Sequence, residues 1–427
     1  MGAGFAGMRT ALVLRAAGVD AVVIEAGRRP GGRVRTIRDP FVEGQCAESG
    51  AEWVDSHHHR MAELLDRYDV DTLGEGEQWT TIRRWLHVDG QLLDPAALLA
   101  RDPSLFDQLE KFDLIVAAAA EGVDPAHPCN HAGAAAVDAR SLADVADEAE
   151  LTGLARLFKW RDTQGEYAAE PEEVSLLFMA QQRAYHPRSV VRAFRVDGGF
   201  SQIAVAMAAE LGDAINFGEA LLGVEQDADG VTVRTTEREL RADHAVLACS
   251  LVPLRDVRVD WPDPLGAAVH GLGYGTVTKT AVQWPRRRWP SGYATTAGRG
   301  QRVYEPTKDQ SGDTGILMTY CGGRGGHEWA ALDDAARRQL AIDEMRSMHG
   351  LTDEPLGGFS RAWSTAPRFG GSYALYRPGE MTAFWEVLRA PWGRVHLAGE
   401  HVATCTGYME GALESGDTVA TRLLDGR

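Results

Sequence analysis

A glycine turn with a single residue in front of it constrains this chain more than any other feature. Residues 2–7 read Gly-Ala-Gly-Phe-Ala-Gly, so Gly2, Gly4 and Gly7 form a GxGxxG. That spacing belongs to a strand–turn–helix. The first glycine permits the tight turn, the second lets the backbone approach a pyrophosphate, and the third lets the helix pack closely. The pattern predicts a helix over 5–17 whose N-terminal N–H groups and partial positive charge suit phosphate. Residues 20–25 (DAVVIE) then read as a short buried strand ending in Glu25. A carboxylate there can accept hydrogen bonds from ribose hydroxyls and would repel a 2′-phosphate. Only Met1 precedes Gly2, so the first strand of this unit is expected to be truncated. Either an upstream strand belongs to the native chain, or the sheet has a gap beside the pyrophosphate and holds its dinucleotide weakly.

Further along, the pattern leaves this unit and returns to it. Residues 60–68 read as an amphipathic helix with Met61, Leu64 and Leu65 on one side. Residues 76–197 read mainly as Ala-rich, acidic helices. A helix over 203–211 follows Gly198-Gly199. Strands are expected at 220–225 and 230–235 around Asp227-Ala228-Asp229, and again at 242–248, 273–284 and 394–398. Helices are expected at 333–350 and 408–424. Residues 167–180 and 290–313 read as surface loops, the second long enough for a lid. A chain of 427 residues exceeds one ordinary core. The expected fold is therefore α/β with two domains. Residues 1–75, 198–272 and 390–427 make a Rossmann-like nucleotide domain; 76–197 and 273–389 make a substrate domain with a mixed sheet and helices.

Composition excludes some classes. A formal charge of -17 opposes binding to nucleic acid or anionic membrane. No apolar run reaches the roughly 20 residues of a membrane span, and no basic-then-apolar leader is visible. The five cysteines are scattered without a CxxC, which supports neither a zinc site nor a disulfide framework. A cytoplasmic location is expected. His57-His58-His59 suggests a metal, but adjacent histidines on a regular element cannot all face one ion, so a loop or helix start is expected and no metal. Arg286-Arg287-Arg288 reads as a solvated turn.

The run from Glu25 through Arg29 and Gly31-Gly32-Arg33, with the glycine turn before it, resembles the flavin-containing amine oxidase family. This family includes monoamine, polyamine and L-amino acid oxidases. Further segments resemble it in the family's order: Ser49–Asp55 (SGAEWVD), Gly198–Gln202 (GGFSQ), Leu397–Glu400 (LAGE) and Gly407–Ala412 (GYMEGA). The resemblance implies FAD and oxidation of an amine to an imine, with O₂ reduced to H₂O₂. Its partners would be a small amine and O₂, and a homodimer is compatible with it. An L-amino acid oxidase and a catalytically silent FAD-binding protein are the alternatives.

The resemblance also implies site residues. Gly2, Gly4, Gly7, Glu25 and Arg33 would meet the dinucleotide, with Gly50, Ala51 and Glu52 passing near the flavin. Val224 would read adenine through its backbone. Gly399, Glu400, Tyr408 and Met409 would meet the ribityl–isoalloxazine region. Tyr373 and Tyr408 would flank the amine path, and Lys279 would hold a water near the flavin and favour O₂ reduction. Ser372 stands where covalent members carry the attaching cysteine, so noncovalent FAD is expected. Trp53 stands where some amino acid oxidases carry a carboxylate-clamping arginine, leaving Arg192, Arg368 or Arg377 to do that from elsewhere. Glu52, Glu305 or Glu380 could meet the far end of a diamine.

Overall fold

Helix Phe5–Ala16 starts directly after Gly4, whose extended backbone caps it with no side chain over the first N–H groups. The computed structural model describes residues 1–78, 82–186 and 191–426. Seven of the helix's residues are buried, because it packs against both helix Met409–Asp425 and helix Ser201–Leu211. A Cβ on Gly416 would come within 2.7 Å of the Ala6 carbonyl, so the first crossing needs glycine there. Met8 and Leu413 are fully buried in this layer, each stabilising by about 1.5–3 kcal/mol.

The helices cover two parallel strand pairs. Strand Val23–Glu25 pairs with Ile215–Phe217, and Ala245–Leu247 pairs with Val395–Leu397. Met1 and Gly2 lie between the pairs. The Gly2 N–H donates to the Ile24 carbonyl (2.7 Å) and the Met1 amino group to the Val246 carbonyl (2.8 Å), while the Ala248 N–H donates to Met1 (2.8 Å). The expected pair around Asp227–Asp229 forms as Leu221–Gln226 against Val231–Thr235, in a four-stranded sheet.

A second, seven-stranded sheet forms the other half. In order it runs Gly357–Ala362, Val277–Trp284, Gly315–Gly322, Arg302–Tyr304, Tyr293–Thr296, Arg84–Val88 and Gln91–Leu93. All eight residues of Val277–Trp284 are buried. Its polar members Thr278, Lys279, Thr280 and Gln283 must therefore find partners inside. Helix Gly153–Tyr167 packs on this sheet, and helix Leu105–Ala120 packs on that helix and on Leu176–Tyr185.

Several expected elements form close to their predicted limits, including helices His59–Arg67 and Asp334–His349. Three expectations are corrected. The interval 290–313 is not a free loop, because Tyr293–Thr296 and Arg302–Tyr304 are paired sheet strands. The interval 167–180 enters helix Leu176–Tyr185, capped by the Ser175 hydroxyl accepting from Leu177 and Phe178. The interval 76–197 is not wholly helical, since Arg84–Val88 and Gln91–Leu93 extend the sheet. No helix among the described residues is long and apolar enough to cross a membrane.

Candidate active site

One cavity of about 600 Å³ runs from the glycine turn to the second sheet. Its wall includes Gly2, Gly4 and Glu25 at one end and Tyr373, Tyr408 and Arg84 at the other. The glycines differ in what surrounds them. A Cβ at Gly7 would fall 2.0 Å from the Gly2 carbonyl, so that contact tolerates no side chain. A Cβ at Gly4 would meet nothing within 4 Å, leaving open space beside the helix N-terminus. Glu25 is aimed by two main-chain donors, accepting from the N–H of Ala3 (2.8 Å) and of Gly27 (2.6 Å).

Arg33 and Glu400 are joined. Arg33 Nη1 donates to Glu400 Oε1 and to the Ser372 carbonyl, both at 2.7 Å. Glu400 also accepts from the N–H groups of Ala374 (3.2 Å) and Gly407 (3.0 Å). This carboxylate therefore ties the Gly31-Gly32-Arg33 turn to the segments carrying Tyr373 and Tyr408. Gly399, with φ of +147°, and Met409 complete this part of the wall. Tyr408 is the N-cap residue of the C-terminal helix.

Strand Val277–Trp284 carries Lys279 into a buried ionic cluster at the cavity wall. Lys279 Nζ donates to Glu52 Oε2 (2.9 Å) and the Gly50 carbonyl (2.9 Å). Arg195 Nε donates to Glu52 Oε1 (2.8 Å) and Tyr304 OH to Glu52 Oε2 (2.5 Å). Burial opposes the Glu52 charge, but Lys279 and Arg195 overcome it and hold the carboxyl down to about 2. Burial and the Glu52 charge push the Tyr304 phenol well up, so it stays a donor. Gly50 is required here, because a Cβ would fall 1.7 Å from the Arg33 carbonyl.

Glu48 behaves oppositely. Burial drives its carboxyl up to about 7, against the Phe200 N–H and Thr36 hydroxyl that its Oε1 accepts from. Because the folded-state value lies above the usual 4.5, this group's contribution to folding is full below 4.5, declines from there, and is gone once pH has risen through about 7. Glu48→Gln is therefore expected to gain stability relative to the parent as pH rises from about 4 to about 8.5. Urea midpoints at the two pH values measure it, and a pH-independent difference would contradict the assignment.

At the far end, Tyr373 OH donates to the Glu166 carbonyl and lies 2.9 Å from Tyr320 OH. Asp162 bridges Arg84 (3.1 Å) and Arg302 (3.4 Å). Tyr408 packs edgewise on His58 and at a tilt on His186, with centroids 5.5 and 4.6 Å apart.

Most predicted residues line the cavity: Gly2, Gly4, Glu25, Arg33, Gly50, Ala51, Glu52, Lys279, Tyr373, Gly399, Glu400, Tyr408 and Met409. Gly7 is buried beneath it. Val224 is corrected: it pairs with Val233 and Val259 in the core, and Glu219, Ala220 and Leu221 form the wall there. Among the arginines, Arg368 lines the wall, whereas Arg192 and Arg377 do not. Glu305 is held by Arg287 and Trp289, and Glu380 by Arg377, both outside the wall. Arg287 clamps the carbonyls of Thr307, Gln310 and Gly312, so the arginine run is not simply solvated. Sequence reasoning missed Arg195, Tyr293, Tyr304 and Tyr320. The signal available for them was aromatic or cationic residues interrupting strand-like runs.

The geometry suits a flavin dinucleotide: open space at a helix N-terminus, a fixed acid at a strand end, and a cavity long enough to reach a lysine and two tyrosines. A family model described as flavin containing amine oxidoreductase matches residues 5–424. An L-amino acid dehydrogenase of Synechocystis is 26% identical over 99% of this chain and 94% of its own length. A flavin-containing amine oxidase of Danio rerio is 25% identical over 99% of this chain and 85% of its own. An L-amino-acid oxidase of Daboia russelii is 24% identical, covering 98% and 88%. Among solved structures, cyclohexylamine oxidase from Brevibacterium oxydans superposes with a TM-score of 0.87 at 24% identity, covering 100% of this chain and 98% of that one. Putrescine oxidase bound to putrescine gives 0.88 at 20%, covering 99% and 98%.

Proposed function

The chain belongs to the flavin-containing amine oxidoreductases, and from that membership we propose that it oxidises a small amine to an imine on noncovalently bound FAD, with O₂ as acceptor. The single cavity joining the glycine turn to Lys279, Tyr373 and Tyr408 carries this reading. FAD supplies a two-electron acceptor for the hydride of the substrate α-carbon and a means of passing those electrons to O₂. The domain division given above assigns the dinucleotide to the discontinuous first half.

Each residue then has a physical task. The N–H groups after Gly4 meet the pyrophosphate, and Glu25 accepts from ribose hydroxyls on lone pairs that its two backbone donors leave open. Arg33 and Glu400 hold the turn and the C-terminal segment together around the cofactor. Tyr373 and Tyr408 present ring faces that orient an amine without holding a full cation strongly, since the reacting amine is neutral. The Lys279 ammonium, paired with Glu52, places positive charge where O₂ acquires electrons.

Small monoamines or diamines are the preferred substrates. Arg195, which shares the Glu52 carboxylate with Lys279, is sealed by it and stacked on Trp53 at 3.8 Å, and Arg84 and Arg302 share Asp162. A second reading, L-amino acid oxidation, is favoured by Arg368 in the wall. A peroxide-coupled screen over primary amines, diamines and L-amino acids tests the choice. Turnover of amino acids but not of their decarboxylated amines would reverse it.

Ser372 carries a further expectation. Its hydroxyl is buried in the cavity wall and serine cannot form a thioether. Acid precipitation is expected to release all flavin into the supernatant. Flavin that stays with the washed pellet would contradict noncovalent binding.

A further inference from the structure

Behind Tyr408 the wall holds a second group of reactive side chains. Asp55, His57, His58 and His186 bring one ligand-type atom each to within 4.8 Å of one another. Three of them flank the start of helix His59–Arg67, and His186 follows the last residue of helix Leu176–Tyr185. Asp55, His58 and His186 are buried. His57 Nε2 lies 2.9 Å from His186 Nδ1, which lies 3.9 Å from Asp55 Oδ2. Adjacent histidines cannot encircle an ion by themselves, but here the fold brings a third imidazole from 129 residues away. His59 is exposed and takes no part.

We propose that Asp55, His57 and His186 form a site for a late first-row divalent cation such as Zn²⁺. Zinc ligands at about 2.0–2.2 Å in a tetrahedron stand about 3.3 Å from one another. The separations of 2.9 and 3.9 Å bracket that value. Two imidazoles and one carboxylate suit Zn²⁺ and its neighbours, whereas Ca²⁺ and Mg²⁺ prefer sets of oxygens. The two close imidazole nitrogens hold one proton between them when no cation is present, and a cation accepts both lone pairs instead.

His58 plays a different part. Its Nδ1 accepts the main-chain N–H of Asp55 at 3.0 Å, which leaves its proton on Nε2, 3.8 Å from Asp55 Oδ2. It therefore holds the Asp55 main chain in place and does not ligate. Cys405 Sγ, 3.9 Å from His186 Nε2, meets the opposite edge of the His186 ring. Three protein ligands leave a fourth position for water or an incoming base. A bound ion also fixes the imidazole that packs on Tyr408, so occupancy would alter the amine end of the cavity.

The test uses flavin-loaded protein without a histidine tag and Zn²⁺ alone as the probe, in competition with a chromogenic chelator. One Zn²⁺ per chain is expected. Asp55→Asn, His57→Gln and His186→Gln should each weaken it by about tenfold or more. His270→Gln, exposed on a separate helix, should leave it unchanged. Flavin content and thermal midpoint check that each variant folds, and the half-buried His57 carries the test if the buried positions do not tolerate change. Failure of the parent to retain Zn²⁺ would overturn the proposal. So would equal retention by His57→Gln, or displacement of Zn²⁺ by equimolar Ca²⁺.

Discussion

Replacing Glu52 with alanine is expected to destabilise the fold by about 3–5 kcal/mol, because it strands two cations inside the protein. Glu52 is the shared acceptor of Lys279, Arg195 and Tyr304. It is 4% exposed, so water replaces little of what is lost. Glutamine, which keeps an acceptor but no charge, should cost less. The pH dependence has a definite sign. The Glu52 carboxyl falls from 4.5 to about 2 on folding, so the folded state binds fewer protons between those values. Its contribution of about 3 kcal/mol is present above 4.5 and is lost as pH falls towards 2. Chemical denaturation of parent and Glu52→Ala should therefore differ most above about pH 5 and converge in acid. A pH-independent gap would mean that packing, not charge, dominates at this position.

Lys279→Met is the second large effect, and it falls on turnover more than on folding. The substitution leaves Glu52 with Arg195 and Tyr304, so the carboxylate stays paired. It removes the ammonium that the Glu48 and Gly50 carbonyls and Glu52 direct. Loss of one pre-aimed charge typically costs about a hundredfold or more in rate. The expected result is about a hundredfold slower reoxidation by O₂, with flavin reduction by amine changed far less. Stopped-flow measurement of the two half-reactions separates them. Equal slowing of both would make Lys279 a substrate-positioning residue, and no slowing of either would remove it from the oxygen reaction.

What was legible in the sequence was local. Gly2, Gly4, Gly7 and Glu25 act through a turn, a helix start and a strand end, all within 25 residues. Lys279 is legible because a lysine interrupts a strand-like run, and burial of the whole strand then requires the partner that Glu52 provides. The partners themselves were not legible. Arg195 and Tyr304 reach Glu52 across 143 and 252 residues, and no spacing encodes such a meeting. Strands Tyr293–Thr296 and Arg302–Tyr304 are hidden by their brevity and by Gly298-Arg299-Gly300 between them. Val224 was misassigned within its own strand. Position in an amphipathic strand decides whether a residue faces core or cavity, and here the wall begins at Glu219–Leu221. The histidine triplet shows the same limit, since its third dimension is supplied by His186.

The most direct test of the account is an anaerobic titration of the purified protein. It should be yellow, with a flavin band at about 450 nm. Adding a small amine that supports peroxide formation should bleach the band, and admitting O₂ should restore it with release of peroxide. A colourless protein, or a flavin band that no amine or amino acid bleaches, would contradict the assignment of this cavity to amine oxidation.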